Sequence, residues 1–219
     1  MDNLLFDQSL LGREWLMSFE ERIVLLYLLN KINPEVSLEI GTNLGGSLAP
    51  ISYYSRNVYS CDVMHDKIDK DDFGNVQFCT GDSKVTVPII IDQLNKEDAF
   101  LQFVLIDGDH SETGVKADIN NILRYQPKKP LYILIHDSFN PDVRTGIIKA
   151  EWEESPYVHH IQLDFVQGVL LQSPEFNKQM WGGFALAVLL PEKREKELNF
   201  EMKYQLVFES ILEISSHRI

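Results

Sequence analysis

The sequence predicts an α/β protein: a mostly parallel β-sheet with helices on both faces. Three observations predict it. Apolar segments of strand length alternate with helix-like segments from residue 36 to about 155, the pattern of a covered parallel sheet. The strands themselves, such as "VSLEI", "QFVLI" and "LYILI", are nearly continuous apolar runs, as expected of strands buried on both faces. Each run then stops at residues able to do chemistry: Glu39 and a glycine loop, Asp62, "TGDS", Asp107 and Asp109, and finally His136 and Asp137. In open α/β sheets, ligands bind outside the carboxyl ends of the strands, so polar tips gathered on one rim predict a site.

The elements follow in order. Ser18 with Glu21 three residues later forms a capping-box pattern before the apolar run Ile23 to Ile32, and Pro34 stops that helix. Val36–Ile40 is the first strand, "NVYSCD" (57–62) the second and "NVQFC" (75–79) the third. A helix is expected from Ser83 to about Asn95, then a strand within 100–109. Residues 112–125 place Val115, Ile119, Ile122 and Leu123 on one helical face. "PLYILIHD" (130–137) is another buried strand, and Pro141 suits the first position of the helix after it. The alternation in "HIQLDF" (160–165) and the run "GGFALAVLLP" (182–191) predict an antiparallel edge. The tail reads better as a helix than as a strand. Three parts are expected: an N-terminal helical segment over 1–35, the main domain over 36–191 and a helical C-terminal extension over 192–219.

Composition excludes several function classes. Lysine and arginine total 20 against 33 acidic residues, a formal charge of −13, so the basic footprint of a nucleic-acid binder is missing. No apolar run approaches the length of about 18 residues that suggests a membrane span. The first residues lack the basic-then-apolar order of a secretory signal. A cytoplasmic protein with no nucleic-acid or membrane partner is therefore expected. The two cysteines, Cys61 and Cys79, have no metal-type spacing and read as buried thiols.

The loop "GTNLGGS" carries the next inference. Its spacing, G-x-x-x-G-G, matches neither the dinucleotide fingerprint nor the phosphate-cradling loop, since Asn43 replaces a glycine and no lysine follows Gly46. Gly41 permits a sharp turn and close backbone approach to a ligand. Asp62 follows about 20 residues later, at the end of the second strand, where an acid can bind the hydroxyls of a ribose. A nucleoside ligand without an obligatory pyrophosphate fits these features.

Together, "LEIGTNLGGS", "VYSCD", "TGDS", "VLIDGDHSETGVKADI" and "LIHDSF" resemble the class I S-adenosylmethionine-dependent methyltransferases. They are most similar to the small-molecule O-methyltransferase branch that includes cephalosporin-hydroxylase-like and macrocin-type enzymes. The resemblance spans about residues 36 to 190. It implies a Rossmann-like seven-stranded sheet with an antiparallel last hairpin. It implies that Glu39, Gly41, Asn43 and Ser47 hold the methionine part of S-adenosylmethionine, Asp62 the ribose, and Asp82 with Ser83 the adenine, with Asp107 also at the cofactor. In several relatives a divalent ion is bound by the residues that map to Asp107, His136 and Asp137. His136 departs from the acid frequent there, which leaves magnesium, manganese, zinc or no ion open.

The reaction implied is O-methylation of a small hydroxylated acceptor, a sugar or natural product. It needs alignment and a base; Asp109 and His110, after the fourth strand, are the candidates. Two other readings stand beside it. One is a nicotinamide-dependent oxidoreductase, against which the missing fingerprint glycine counts. The other is a non-catalytic, cofactor-binding partner protein. Apolar faces outside the sheet domain leave room for a homo-oligomer.

Overall fold

A computed structural model describes residues 15–217. Its first element, helix α1 (Phe19–Ile32), begins at the expected capping box: the Ser18 hydroxyl accepts from the Glu21 N–H while the Glu21 carboxylate accepts from the Ser18 N–H. Asn33 closes the helix in the left-handed region, at φ 43°, a conformation that asparagine tolerates better than most residues.

Strands β1 (Val36–Ile40), β2 (Asn57–Asp62), β3 (Val76–Thr80), β4 (Leu101–Ile106) and β5 (Leu131–His136) follow. Between them run α2 (Leu48–Tyr54), α3 (Ser83–Lys96) and α4 (Glu112–Ile122). After β5 come α5 (Pro141–Lys149), β6 (Val158–Val166), the short ribbon strands β7 (Val169–Leu170) and β8 (Met180–Trp181), then β9 (Phe184–Leu189), β10 (Asn199–Glu201) and α6 (Gln205–Leu212).

The main sheet has eight strands in the order β10-β6-β9-β5-β4-β1-β2-β3. The expected count of seven is therefore corrected by one. The added strand is β10, whose three residues pair in parallel with His160–Gln162 of β6. The tail thus divides into a strand that completes the sheet edge and a helix. The neighbours β1 through β5 pair in parallel, and β9 is the reversed strand, antiparallel to both β5 and β6. Order reverses between β1 and β4, so the crevice of an open sheet lies above these two strands.

Two apolar layers hold the helices to the sheet. On one face Leu38, Ile40, Val104, Ile106, Ile133 and Ile135 pack against α3, α4 and α5. On the other, Phe103, Leu105, Leu134 and Phe184 pack against Leu25 and Leu29 of α1 and Leu48 and Ile51 of α2. Burying each of these side chains contributes about 1.5–3 kcal/mol. The odd and even residues of one strand serve opposite layers, which is why these strands read as unbroken apolar runs rather than alternating ones.

The C-terminal helix docks through a buried ion pair. Arg144 NH1 lies 2.8 Å from Asp164 Oδ1, and its NH2 donates to Gln205 Oε1 at 2.9 Å. Asp164 Oδ2 accepts from the Tyr204 N–H at 2.9 Å, and the guanidinium sits 4.3 Å from the centre of the Phe208 ring. Among the described residues no helix is long and apolar enough to cross a membrane.

Candidate functional site

The carboxyl ends of β1 to β5 open into a cavity of about 1050 Å³. A single drug-sized ligand occupies a pocket of roughly 300–1,000 Å³, so this volume admits two small ligands side by side. One half is formed by the strand tips. The other is walled by residues 15–18 ahead of α1 and by the β7–β8 ribbon.

The glycine loop wraps the end of β2. Thr42 and Asn43 both donate backbone N–H groups to Asp62 Oδ2, at 2.7 and 2.9 Å, and Met64 N–H reaches Oδ1 at 3.2 Å. Burial raises the Asp62 pKa, but these donors outweigh it and hold the carboxyl below its ordinary value. The Thr42 and Asn43 amides thus fix Asp62 in place as an ionised acceptor. Gly41 has φ +91°, and a Cβ there would stand 2.0 Å from the Asp107 carbonyl oxygen. Only glycine lets β1 and β4 end this close together.

Glu39 lies one layer back. It is fully buried and bonded by the Ser47 hydroxyl at 2.7 Å and the Ser60 hydroxyl at 3.2 Å. Burial, only partly offset by these hydroxyls, pushes its pKa up to about 8. Ser47, by contrast, lines the cavity. Contact between Glu39 and a ligand would therefore run through Ser47. Asp82 and Ser83 also line the cavity, where Asp82 caps α3 by accepting from the Lys84 N–H at 2.8 Å.

Beyond β4 the two candidate bases part company. Asp109 Oδ1 accepts from the Ser111 N–H at 3.0 Å, Ser111 itself being the N-cap of α4, and Lys84 Nζ stands 3.9 Å from Asp109 Oδ2. These partners hold its pKa below the ordinary carboxyl value, the Ser111 N–H most strongly. His110 instead points its Nε2 between Asp107 Oδ1, at 3.4 Å, and Asp137 Oδ2, at 3.3 Å. The bond to Asp107 and the charge of Asp137 raise its pKa against the effect of burial.

His136 meets the same two carboxylates from β5: its Nδ1 lies 2.9 Å from Asp107 Oδ1 and 3.5 Å from Asp137 Oδ2. Burial opposes a charge on His136, yet Asp107, Asp137 and Glu21 together raise its pKa well above the ordinary histidine value. Asp107 is held low by the two imidazoles despite burial, whereas Asp137 is raised by burial and by the charge of Asp107. Two acids this close share their ionisation unequally. One donor atom each from Asp107, His136 and Asp137 lies within 4.8 Å of the others. Two carboxylates and an imidazole at that spacing fit a divalent ion, which would take the place of the direct contacts between the His136 ring and the two acids.

Two contributors were missed by the sequence reading. The capping-box pattern by itself accounts for Glu21 in the sequence. It is buried, it accepts from the Gly183 N–H, and its Oε1 lies 3.3 Å from His136 Nε2. A glutamate at a helix N3 position gives no signal of a second role. The Gly182–Gly183 pair is the other. Both have left-handed φ, +74° and +82°, and the turn aims Gly182 N–H at Asp137 Oδ1 (2.6 Å) and Gly183 N–H at Glu21. The doubled glycine was the available signal. Asp137 is itself left-handed, at φ 55°, a sparsely populated state typical of sites where surrounding structure imposes the geometry. Trp181 lines the cavity, with its ring 5.5 Å from that of His110.

No family model matches the sequence, and no curated protein does. Solved structures do match. Cofactor-bound Rv0187 from MTB aligns over 88% of this chain and 89% of its own, with 18% identity and a TM-score of 0.56. The O-methyltransferase from Bacillus cereus in complex with SAH aligns over 86% and 89%, with 14% identity and a TM-score of 0.55. The O-methyltransferase TomG from Streptomyces achromogenes, involved in tomaymycin synthesis and in complex with SAM, aligns over 80% and 82%, with 12% identity and a TM-score of 0.56. The chain therefore has the fold of the class I S-adenosylmethionine-dependent O-methyltransferases.

Proposed function

We propose that this protein is an S-adenosylmethionine-dependent O-methyltransferase acting on a small hydroxylated acceptor. The observation that carries the reading is the convergence of Asp62, Gly81–Ser83, Asp107–His110 and His136–Asp137 on one cavity at the sheet's switch point. Neighbours of the same fold hold SAM or SAH. Bound there, S-adenosylmethionine supplies a methyl group on a sulfonium centre whose sulfur keeps the electron pair of the broken bond.

The chain's residues do the rest. Asp62, ionised and backbone-fixed, accepts from the ribose hydroxyls. Ser47, braced by Glu39, faces the methionine end with Gly41 and Asn43, and Asp82 with Ser83 faces the base. His110 takes the acceptor's proton at Nδ1, the ring nitrogen not turned toward Asp107 and Asp137, and those two carboxylates stabilise the resulting imidazolium. Asp109, committed to the start of α4, orients the segment that carries His110. A positioned base of this kind contributes about 10²–10⁴-fold. If a divalent ion binds Asp107, His136 and Asp137, it lowers the pKa of the acceptor hydroxyl.

The test is thermal unfolding with S-adenosylhomocysteine, with NAD as the control, each with and without magnesium or manganese. A ligand at about 100 times its dissociation constant stabilises by roughly 2.7 kcal/mol, which is a rise of about 5–10 °C for a chain of this size. The expected result is a rise with S-adenosylhomocysteine and none with NAD. A rise with NAD alone would overturn the reading.

A further inference from the structure

We propose that Cys61 and Cys79 form an oxidation site, where a hydroperoxide converts the two thiols to a disulfide that distorts the cofactor half of the cavity. Both cysteines read in sequence as buried thiols. In the structure Cys61 is buried, but Cys79 is partly exposed. The two are neighbours: β2 and β3 pair in parallel with Cys61 directly opposite Cys79. Both side chains enter the same apolar layer, with Val87, Ile90 and Ile91 of α3. Neighbouring strands run about 4.7–4.9 Å apart. That spacing lies inside the Cα separation of about 4.4–6.8 Å that a disulfide spans.

The two sulfurs differ in ways that divide the work. Cys79, open to solvent on one side, is the thiol an oxidant can reach. Its contact with Cys61 brings its pKa down to about 7 against the effect of burial. Much of it is then thiolate, the nucleophilic form, at neutral pH. Contact with Cys79, then burial, push the Cys61 thiol up. Cys61 therefore waits as a neutral thiol beside a reactive one.

The step balances. The Cys79 thiolate attacks one oxygen of the hydroperoxide and the O–O bond breaks. The other oxygen leaves, takes a proton, and departs as water or an alcohol. Cys79 is now a sulfenic acid, and the negative charge that opposed ionisation of Cys61 is gone. The Cys61 sulfur then attacks the Cys79 sulfur, the S–O bond breaks, and the hydroxyl leaves as water with the Cys61 proton. Two thiols lose two electrons, and one peroxide bond gains them.

Position gives the bond its consequence. Cys61 lines the cavity and immediately precedes Asp62. The Cys61 carbonyl accepts from the Gly41 N–H at 2.8 Å, and the Asp62 carbonyl accepts from the Gly81 N–H at 2.9 Å. The glycine loop and the turn after β3 are thus both tied to the end of β2. A disulfide holds its Cβ atoms about 3.8 Å apart, closer than the strand spacing of about 4.7–4.9 Å. Closing the bond therefore draws the two strand ends together by roughly an ångström. That movement passes to Gly41, Asp62 and Gly81. Resting on the reading of Asp62 as the ribose acceptor, the oxidised chain binds S-adenosylmethionine more weakly. The strain also makes the bond easier to reduce, so the change is reversible.

The experiment treats the full chain with tert-butyl hydroperoxide and compares it with untreated protein and with protein reduced again by dithiothreitol. Intact mass and thiol titration follow the bond, and calorimetry follows S-adenosylhomocysteine. The expected product is a single chain lighter by two hydrogens, with no free thiol. Its S-adenosylhomocysteine affinity should fall about 10-fold, an ordinary size for coupling between two sites, and return on reduction. Cys79→Ser should keep its affinity through the peroxide treatment. Cys61→Ala should stop at the Cys79 sulfenic acid, which dimedone traps. Two free thiols after peroxide, or a disulfide that leaves S-adenosylhomocysteine affinity unchanged, would overturn the inference. The two readings fail separately. Absence of S-adenosylhomocysteine binding to the reduced chain removes the methyltransferase reading. The disulfide with faster amide exchange over residues 41–47 would then still support the oxidation site, and unchanged exchange would sink it.

Discussion

Two buried polar clusters in this protein are built from similar parts and behave differently. The cluster at the C-terminal helix joins Arg144 and Asp164, one cation to one anion, 2.8 Å apart. The cluster at the strand tips joins Glu21, Asp107 and Asp137 to His110 and His136. Arginine does not lose its proton in proteins, so the first cluster keeps its cation and serves to dock α6 against α5 and β6. Histidine exchanges its proton in the physiological range, and three acids exceed two imidazoles, so the second cluster can gain or lose protons or exchange them for a cation. The difference marks a structural pair apart from a reactive one without reference to the reaction.

His110→Ala should break the reactive cluster with the largest effect, lowering turnover by about 10²–10⁴-fold while the unfolding midpoint moves little, since the His110 side chain is 40% exposed. Steady-state kinetics beside thermal unfolding checks both halves of that statement. Arg144→Met should do the reverse. Leaving Asp164 buried without its partner costs about 3–5 kcal/mol of stability, read by chemical denaturation, while the shift caused by S-adenosylhomocysteine is preserved. Equal losses of stability and ligand response in Arg144→Met would erase the distinction between the clusters.

Glu39 supplies the smallest and most specific contrast, a buried acid with hydroxyl partners and no adjacent cation. Burial pushes its folded pKa up to about 8, above the ordinary glutamate value of 4.5 that the unfolded chain approaches. The folded state therefore holds the extra proton between these values. The contribution is fully present below pH 4.5 and is lost as pH rises toward 8, at no more than about 1.4 kcal/mol per pH unit. Glu39→Gln, which stays neutral, should flatten that decline in a stability-versus-pH series. Parallel curves for the two proteins would remove Glu39 as the titrating group.

Most of the strands and their chemical tips could be read from the residue order, because both depend on local rules. Buried parallel strands need unbroken apolar runs, and a run must end where backbone and side chains turn polar. On that basis Glu39, Asp62, Asp82, Asp107, Asp109, His136 and Asp137 fall on one rim, and all of them line the cavity except Glu39, which sits behind Ser47. The reading of Ser18 and Glu21 as a capping box was equally local and equally visible. What escaped was each contribution made across the chain. Glu21 and Gly183 are 162 residues apart and meet through one hydrogen bond. The β7–β8 ribbon pairs only two residues a side, too few to carry a periodic signal. β10 became an eighth strand because β6 offered an open edge, not because "NFE" has a strong strand preference.

The sequence by itself determined the layered fold and the chemical character of the strand tips. Periodicity and chain reversal act within a few residues, and five tips of one parallel sheet must share a rim. Only the tertiary structure decided that His110 rather than Asp109 faces the acid pair, that Glu39 sits behind Ser47, and that residues 15–18 with the ribbon wall the second half of the cavity. Those outcomes depend on side-chain direction and on contacts between distant segments, where differences of an ångström decide which group meets which.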